Sequence, residues 1–170
     1  MALREIVTNP DPVLRRKARK VTDFGPGLQE LIDDMVETMR TAPGVGLAAP
    51  QVNTSIQLIV VEFGDEENDD VPPKLYTVVN PEIVKPSRET EMGTEGCLSV
   101  PGFVGDVERS ISVTVKGQNR YGQPLKTKAQ GWLARIFQHE IDHLNGVLFI
   151  DRAESVYQLE EDQAQYAPAD

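Results

Sequence analysis

The sequence predicts an α+β fold in a single domain, with antiparallel or mixed β-sheets around a central C-terminal helix and a further helix near the N-terminus. Two stretches carry apolar residues at helical spacing, one on each side of a middle region that contains the β-branched runs typical of strands. The chain of 170 residues is long enough to bury one core, and neither a repeat nor a linker marks a second domain.

Composition and charge exclude several classes of protein. The formal net charge is −10, so a nucleic-acid-binding surface is not expected, and the basic run at 15–20 is interpreted as a solvated surface patch. The single cysteine excludes an internal disulfide and fits a reducing compartment. A secretory signal is not expected, and no stretch approaches the roughly 18 apolar residues that span a bilayer. We therefore expect a cytoplasmic protein without membrane partners.

The first predicted helix follows a short, mixed segment that ends near residue 24. Its apolar residues recur with a period of 3.6, which defines one buried face. The sequence Ala-Pro-Gly at 42–44 is expected to end the helix. The apolar face consists of Leu28, Leu31, Ile32, Met35, Val36 and Met39.

The middle of the chain predicts several strands. Residues 56–63 have the length and β-branched content of a buried strand, and residues 75–84 indicate another that is broken at Asn80-Pro81. Apolar and polar residues alternate in 108–117, the pattern of a half-buried strand. A turn follows, which predicts a hairpin that returns through 125–130.

The sequence contains two acidic segments, one within the predicted domain and one after it. Six of the nine residues in 62–70 are acidic, which favours an exposed loop. Residues 154–170 contain acidic residues and no basic one. We therefore expect a folded domain at 1–153 and an acidic C-terminal tail at 154–170.

The final predicted helix, 131–145, contains both histidines of the chain, His139 and His143, one turn apart around Glu140. Residues four apart lie on one helix face, so the two imidazoles can converge on one metal ion. With about 100° per residue, Glu140 falls inside the apolar arc of the helix, where a charge is costly unless it is paired. A desolvated carboxylate with a raised pKa suits proton transfer near neutral pH. The alternative is a pair of core-edge histidines satisfied by hydrogen bonds.

A catalytic metal site needs a third protein ligand, and the residues alone leave two sources open. Downstream of the histidines lie only carboxylates, namely Asp151, Glu154, Glu160 and Glu161. Upstream lies Cys97, which taken alone is more often a small buried apolar residue than a ligand.

Three motifs together resemble the peptide deformylase family: GVGLAAPQ at 44–51, EGCLSVPG at 95–102 and QHEIDHLNG at 138–146. Their order and separations match, and the resemblance covers residues 2–153. It implies a metal-dependent hydrolase that removes the N-terminal formyl group from formylmethionyl nascent polypeptides and releases formate. Such an enzyme acts in N-terminal processing during protein biosynthesis.

The resemblance also implies roles for particular residues. Cys97, His139 and His143 match the metal ligands, and Glu140 matches the catalytic carboxylate. The ion is expected to be Fe²⁺, with Zn²⁺, Ni²⁺ or Co²⁺ as replacements. The side-chain amide of Gln51 and the backbone N–H of Leu98 match the groups that bind the oxyanion.

By the same resemblance, the peptide substrate is held by backbone groups of Val45, Gly46 and Gly96, much as a strand adds to a sheet edge. Trp132 and Ile136 lie before His139 on nearly the same helix face and can line a pocket for the methionine side chain, although stripe residues are equally often plain core.

Arg109 and Asp142 are expected to form a pair that orients a metal ligand, with a solvated Asp142 as the alternative. Some family members bind the ribosome through a basic C-terminal helix, and the acidic tail here puts that mode of docking in doubt. The rival interpretations are a metallohydrolase for other acyl groups and a binding domain without catalysis. The complete set of motif residues argues against both.

Overall fold

The computed structural model describes residues 2–64, 68 and 70–159. The helices are α1 (Pro26–Thr41), α2 (Trp132–Leu144) and the short α3 (Phe149–Arg152), with 3₁₀ helices at Pro12–Arg15 and Ala49–Val52. The strands are β1 (Gly46–Ala48), β2 (Leu58–Phe63), β3 (Lys74–Val84), β4 (Thr90–Gly96), β5 (Phe103–Ser110), β6 (Ser112–Gln118), β7 (Pro124–Gln130) and β8 (Ser155–Gln158). Within the described ranges, no helix has both the length and the apolar content needed to cross a membrane.

The strands form two antiparallel sheets. The first has five strands in the order β1-β2-β3-β6-β7, and the second has three in the order β4-β5-β8. The helix α2 packs against strands of both sheets. This arrangement confirms the predicted α+β class with its C-terminal helix and its N-terminal helix.

The five-stranded sheet is covered on both faces, and β2 shows why. Successive side chains of a strand point to opposite faces. Ile59 and Val61 lie in the core cluster that contains the apolar residues of α2, whereas Leu58 and Val60 lie in the cluster with α1. All four are fully buried, so this part of the strand is continuously apolar rather than alternating.

The first helix confirms its sequence prediction. All six residues of the predicted apolar face are buried, and Pro26 begins the helix at a position where its missing N–H costs no hydrogen bond. The helix ends at Thr41, directly before the predicted stop at 42–44.

The predicted break at Asn80-Pro81 is an irregularity within one continuous strand. The register between β3 and β6 shifts between Val79 and Glu82, and Asn80 has a φ of 52°. The side chain of Asn80 accepts a hydrogen bond from Val21 N (2.8 Å) and donates to Val21 O (3.0 Å) and to Gln118 Oε1 (2.8 Å). These bonds hold the bulge, so the strand bends without ending.

The prediction of a single strand across 108–117 was wrong. The chain leaves the three-stranded sheet at Ser110 and enters the five-stranded sheet at Ser112. Ile111 lies at the corner, where its N–H donates to Glu89 O at 3.1 Å. Alternation continues across the corner and therefore hides it. The predicted hairpin after it is confirmed, because β6 pairs with β7 in register.

Strand β8 lies within the segment assigned to the acidic tail, and it pairs with β5 from Ser155 to Gln158. The domain boundary at 153 stays a prediction. The remainder of that segment, 160–170, and most of the predicted acidic loop, 65–67 and 69, lie outside the described residues. The basic run at 15–20 exposes its charged side chains, as expected.

The N-terminal residues cross the domain as an extended segment. Arg4 Nε and Ala2 N donate to the carboxylate of Asp34 on α1, at 3.0 and 2.8 Å. Further along, Val7 N donates to the carbonyl oxygen of Gln51 and Asn9 N to that of Ser99, both at 2.8 Å. The segment thereby connects α1 with the loops that carry two of the three sequence motifs. We call residues 2–9 the N-terminal strap.

Candidate active site

The helix α2 places both histidines in the interior. His139 is 4% exposed and His143 is 1% exposed, and their ring centroids lie 5.1 Å apart. The helix ends at Leu144, with Asn145 as its cap and Gly146 at a φ of 74°, as the glycine in the sequence predicted.

Cys97 follows β4 directly, and its buried sulfur meets the histidines. The Sγ atom lies 3.5 Å from His143 Nε2, and the three candidate ligand atoms of Cys97, His139 and His143 all lie within 4.8 Å of one another. Metal ions bind thiolate and imidazole donors at about 2.0–2.3 Å, so a triangle of this size accommodates one divalent ion. Among the described residues, Cys97 completes the group rather than the downstream carboxylates Asp151 or Glu154.

Glu95 orients the first of these histidines, and the sequence analysis missed it. The carboxylate is 3% exposed and its Oε1 lies 2.9 Å from His139 Nδ1. Because Nδ1–H donates to the carboxylate, Nε2 of the ring is left to face the cluster. Burial alone would raise the pKa of Glu95, but hydrogen bonds from Arg109 and His139 outweigh it and hold that pKa well below its usual range. Its position two residues before Cys97 was the available signal.

Arg109 supports Glu95 with two parallel hydrogen bonds. Its Nε and Nη2 donate to the two carboxylate oxygens at 2.9 and 2.8 Å, and its Nη1 donates to Asp142 Oδ2 at 2.6 Å. The expected Arg109–Asp142 pair is therefore present, although Glu95 makes the direct contact with the histidine. Desolvation would lower the pKa of Arg109, but the bonds and charges of Glu95 and Asp142 raise it above its ordinary value. Arg152 also binds Asp142 and extends the network to the surface.

Glu140 follows His139 on α2 and is fully buried, as its place in the apolar arc of that helix predicted. Its carboxylate lies against the backbone of β1. A Cβ atom at Gly46 would lie 2.6 Å from Glu140 Oε2, so only glycine allows this approach. Gly46 of the first motif thus leaves the space that the Glu140 side chain of the third motif occupies.

Gln51 is fully buried in the 3₁₀ helix Ala49–Val52, and its amide has a defined orientation. Its Oε1 accepts a hydrogen bond from Ala48 N at 3.0 Å. Its Nε2 therefore points the other way and donates to Ser99 Oγ at 3.0 Å, with Cys97 Sγ at 3.7 Å. The amide N–H₂ group of Gln51 thus lies next to the candidate ligand Cys97.

The other predicted site residues lie on β4, on α2 and in the segments next to β1 and Cys97. Leu98 follows Cys97 in a turn, and Gly96 is the last residue of β4. Val45 precedes β1, and its carbonyl accepts from Glu62 N at 2.9 Å. Ile136 is 3% exposed and belongs to the core cluster between α2 and the five-stranded sheet. Trp132 is half-buried and lines a cavity of about 190 Å³.

A buried Cys/His₂ cluster and a buried glutamate on the same helix, in an α+β domain, are the kind of site that metal-dependent hydrolases use. Comparison with known proteins gives the family. Residues 3–158 match the family model of the polypeptide deformylases. The chain belongs to the polypeptide deformylase family.

Individual relatives agree with the family model. A peptide deformylase of Natranaerobius thermophilus is 50% identical over 161 residues, which cover 95% of this chain and 99% of the relative. A peptide deformylase of Dehalococcoides mccartyi is 46% identical, with 95% of this chain and 92% of the relative covered.

Solved structures agree as well. The crystal structure of a Thermotoga maritima peptide deformylase has a TM-score of 0.83 and 44% identity, with 91% of this chain and 100% of that chain covered. An Acinetobacter baumannii peptide deformylase with bound Met-Ala-Ser has a TM-score of 0.82 and 40% identity, covering 89% and 98%.

These findings confirm the predicted family, the enzyme class and the function, which is the metal-dependent removal of the N-formyl group from nascent polypeptides. The roles of the individual site residues, the identity of the ion and the cytoplasmic location stay predictions.

Proposed function

We propose that this enzyme hydrolyses the formamide of formylmethionyl peptides in the space between Cys97, His139, His143 and Glu140. The observation that carries this assignment is the buried thiol and imidazole cluster with a fully buried carboxylate beside it, in a chain of this family. Cys97, His139 and His143 would hold one divalent ion. When bound, that ion supplies Lewis acidity and lowers the pKa of water.

Glu140 is proposed to move the proton in this reaction. Its carboxylate is excluded from bulk solvent and lies against Gly46. It takes the proton from the attacking water and delivers it to the amine nitrogen as the carbon–nitrogen bond breaks. The products are formate and the free methionyl amine.

Gln51 and the backbone N–H of Leu98 are proposed to stabilise the oxyanion. The hydrogen bond from Ala48 fixes the amide of Gln51 with its N–H₂ group toward Cys97. Such a fixed donor needs no reorganisation when charge develops on the formyl oxygen, and each donor is worth about 3–4 kcal/mol in comparable sites.

The peptide track is proposed to use two strand edges. Strand β1 is the edge of the five-stranded sheet and β4 is the edge of the three-stranded sheet. Gly46 and Gly96 belong to these edges and flank Glu140 and Cys97, so an extended peptide can add there as a strand. The similar Acinetobacter enzyme with bound Met-Ala-Ser supports a methionyl peptide as the ligand. Val45 and Ile136 are proposed to complete the contacts.

The proposed native ion is Fe²⁺, with Zn²⁺, Ni²⁺ and Co²⁺ as functional replacements. A ligand set with one thiolate and two imidazoles accepts all four ions, so geometry alone does not select among them. Anaerobic purification with metal quantification decides this point. A native sample that contains only zinc would contradict the iron assignment.

The proposed substrates are nascent polypeptides in the cytoplasm, with the ribosome as a partner by proximity. The chain has a single cysteine, the buried Cys97, so it holds no internal disulfide, which fits a reducing compartment. Direct binding of nucleic acid is not expected for a chain with a net charge of −10.

The test of the proposed function compares formyl-Met-Ala-Ser with acetyl-Met-Ala-Ser. Release of formate without release of acetate supports the assignment, and equal rates would support a broader amidase.

Glu140→Gln should retain the metal and lose at least about 100-fold in kcat, since proton transfer contributes about 10²–10⁴. A metal-replete Glu140→Gln protein with full activity would exclude the proton-transfer role.

A further inference from the structure

Arg135 has a buried guanidinium that joins α2 to the three-stranded sheet. It is 6% exposed, and its Nη1 donates to Glu95 Oε2 at 2.6 Å and to Val107 O at 2.8 Å. Its Nη2 donates to Glu91 O at 2.7 Å. One side chain of the helix therefore binds both β4 and β5.

Gly93 makes room for this guanidinium. A Cβ atom at position 93 would lie 2.7 Å from Arg135 Cζ and 2.8 Å from both Nε and Nη2. These distances are too short for any side chain unless the guanidinium moves. Arg135 binds the carbonyl groups of Val107, which pairs in register with Gly93, and of Glu91, two residues before Gly93 on β4.

The carboxylate of Glu95 receives two donors on each oxygen. Oε1 accepts from Arg109 Nη2 and from His139 Nδ1, and Oε2 accepts from Arg109 Nε and from Arg135 Nη1. Arg135 and His139 belong to the same helix, one turn apart. Their shared acceptor lies two residues before Cys97. The contact between Arg135 and Glu95 therefore fixes the helix that bears the imidazoles relative to the strand that leads to the thiol.

We propose that Arg135 is a positioning residue of the metal centre, and that Gly93 is required because it admits the Arg135 guanidinium. Removing the guanidinium leaves Glu95 held by Arg109 from β5 and by His139 from α2. The carboxylate then no longer ties α2 to β4 through two successive turns of the helix, and the three ligands converge less well. This inference rests on the proposed metal site, and it is tested by retention of the ion rather than by turnover.

The experiment uses the full-length protein loaded with Co²⁺. It measures the rate at which excess chelator removes the ion, the cobalt absorption spectrum and the melting temperature. The variants are Arg135→Met, Arg135→Lys and Gly93→Ala. The matched control is Arg120→Met, which removes a partly buried arginine that donates to Gln29 Oε1 (2.7 Å) and Asp33 Oδ1 (2.9 Å), away from the metal cluster.

Arg135→Met is expected to lose cobalt at least about tenfold faster than the wild type, since groups that orient metal ligands commonly affect affinity by 10–100-fold. Its spectrum should shift, while Arg120→Met keeps the wild-type spectrum and loss rate even if its melting temperature falls equally. Arg135→Lys should give an intermediate rate, and Gly93→Ala should resemble Arg135→Met.

Wild-type cobalt retention in Arg135→Met, or equal acceleration in Arg120→Met, would overturn the positioning role. If Arg135→Met does not fold, Arg135→Lys and Gly93→Ala decide by the same criterion. A wild-type protein that retains cobalt but does not deformylate peptides would contradict the proposed function instead, so the two failures are distinguishable.

Discussion

Glu140 occupies a space that exists because Gly46 has no side chain. The carboxylate is fully buried, and the backbone of β1 approaches it closely enough to restrict its position. The geometry links two motifs that are far apart in the sequence.

Gly46→Ala should reduce kcat/KM by at least about tenfold, because a Cβ atom 2.6 Å from Glu140 Oε2 forces the carboxylate to move, and small displacements of reacting groups cost up to about 100-fold. Steady-state assays on formyl-Met-Ala-Ser measure the effect. The control is Gly27→Ala, whose Cβ atom would meet nothing within 4 Å and which should keep full activity. Full activity of Gly46→Ala would contradict the assigned position of Glu140.

Part of this site could be predicted from residue spacing alone. The two histidines and Glu140 follow from helical geometry, because all three lie on one helix and their directions depend only on 3.6 residues per turn. Glu95 could not be predicted in this way. Its partners, Arg109 and His139, come from another strand and from a helix, and only the tertiary fold brings them together.

At the level of elements, β3 continues through a bulge that Asn80 stabilises. Its left-handed backbone is costly for most residues, and its side chain returns three hydrogen bonds. Proline after asparagine indicated a strand end in the sequence. The side-chain bonds, which depend on Val21 and Gln118, were not visible there.

Asn80→Ala should lower the free energy of unfolding by about 2–4 kcal/mol, because it removes three hydrogen bonds of about 0.5–1.5 kcal/mol each and strains a positive φ. Urea denaturation measures this. The control is Asn53→Ala at an exposed asparagine with a similar φ of 62°, which should cost only the backbone strain of about 1 kcal/mol. Equal losses in both variants would show that the Asn80 bonds contribute nothing.

The N-terminal strap is held to α1 by a carboxylate whose charge depends on pH. The hydrogen bond from Ala2 N is the main cause that lowers the pKa of Asp34 below 3.8, and the bond and charge of Arg4 add to it against the effect of burial. A lowered pKa in the folded state means that Asp34 stabilises the fold above its unfolded pKa and that this contribution is lost as the pH falls.

Asp34→Asn should therefore be less stable than the wild type at pH 7, and the difference should shrink as the pH falls below about 4, near the ordinary pKa of an aspartate. Urea denaturation from pH 3 to 7 measures it. In an Arg4→Met background the effect of Asp34→Asn should be smaller. A difference that is constant from pH 3 to 7 would contradict the role of the charge.

The three-stranded sheet was the least predictable element. Strand β4 reads TEMGTEG, with little apolar content, because its first residues are exposed and its buried end packs on polar groups such as Arg135. Strand β5 merges with β6 through the alternation that crosses Ile111. Patterns of hydrophobicity identify strands that pack on an apolar core, and this sheet packs partly on an ionic network.

Over the whole molecule, the cluster of Cys97, His139 and His143 lies where the two sheets meet α2. His139 and His143 come from the helix, and Cys97 comes from the end of the three-stranded sheet. A bound ion therefore connects parts of the fold that are distant in sequence. Its contribution to stability should be measurable apart from catalysis.

Removal of the ion by chelation should lower the melting temperature by about 10 °C. An ion present at about 1,000 times its dissociation constant stabilises the folded state by about 4 kcal/mol, and about 2–4 °C per kcal/mol is usual for this size. Calorimetry of the chelated protein, before and after addition of Co²⁺ or Ni²⁺, measures the change. Cys97→Ala should show little response to the same treatment, and an unchanged wild-type melting temperature would contradict a structural contribution.

The N-terminal strap has a practical consequence for protein engineering. Val7 and Asn9 donate to the backbone at Gln51 and Ser99, so the first residues support the segments that carry the first two motifs. Deletion of the first seven residues would remove the hydrogen bond from Val7 to Gln51. It should lower the catalytic rate although no proposed catalytic side chain is changed. Purification handles and fusion partners should therefore be separated from Ala2 by a flexible spacer.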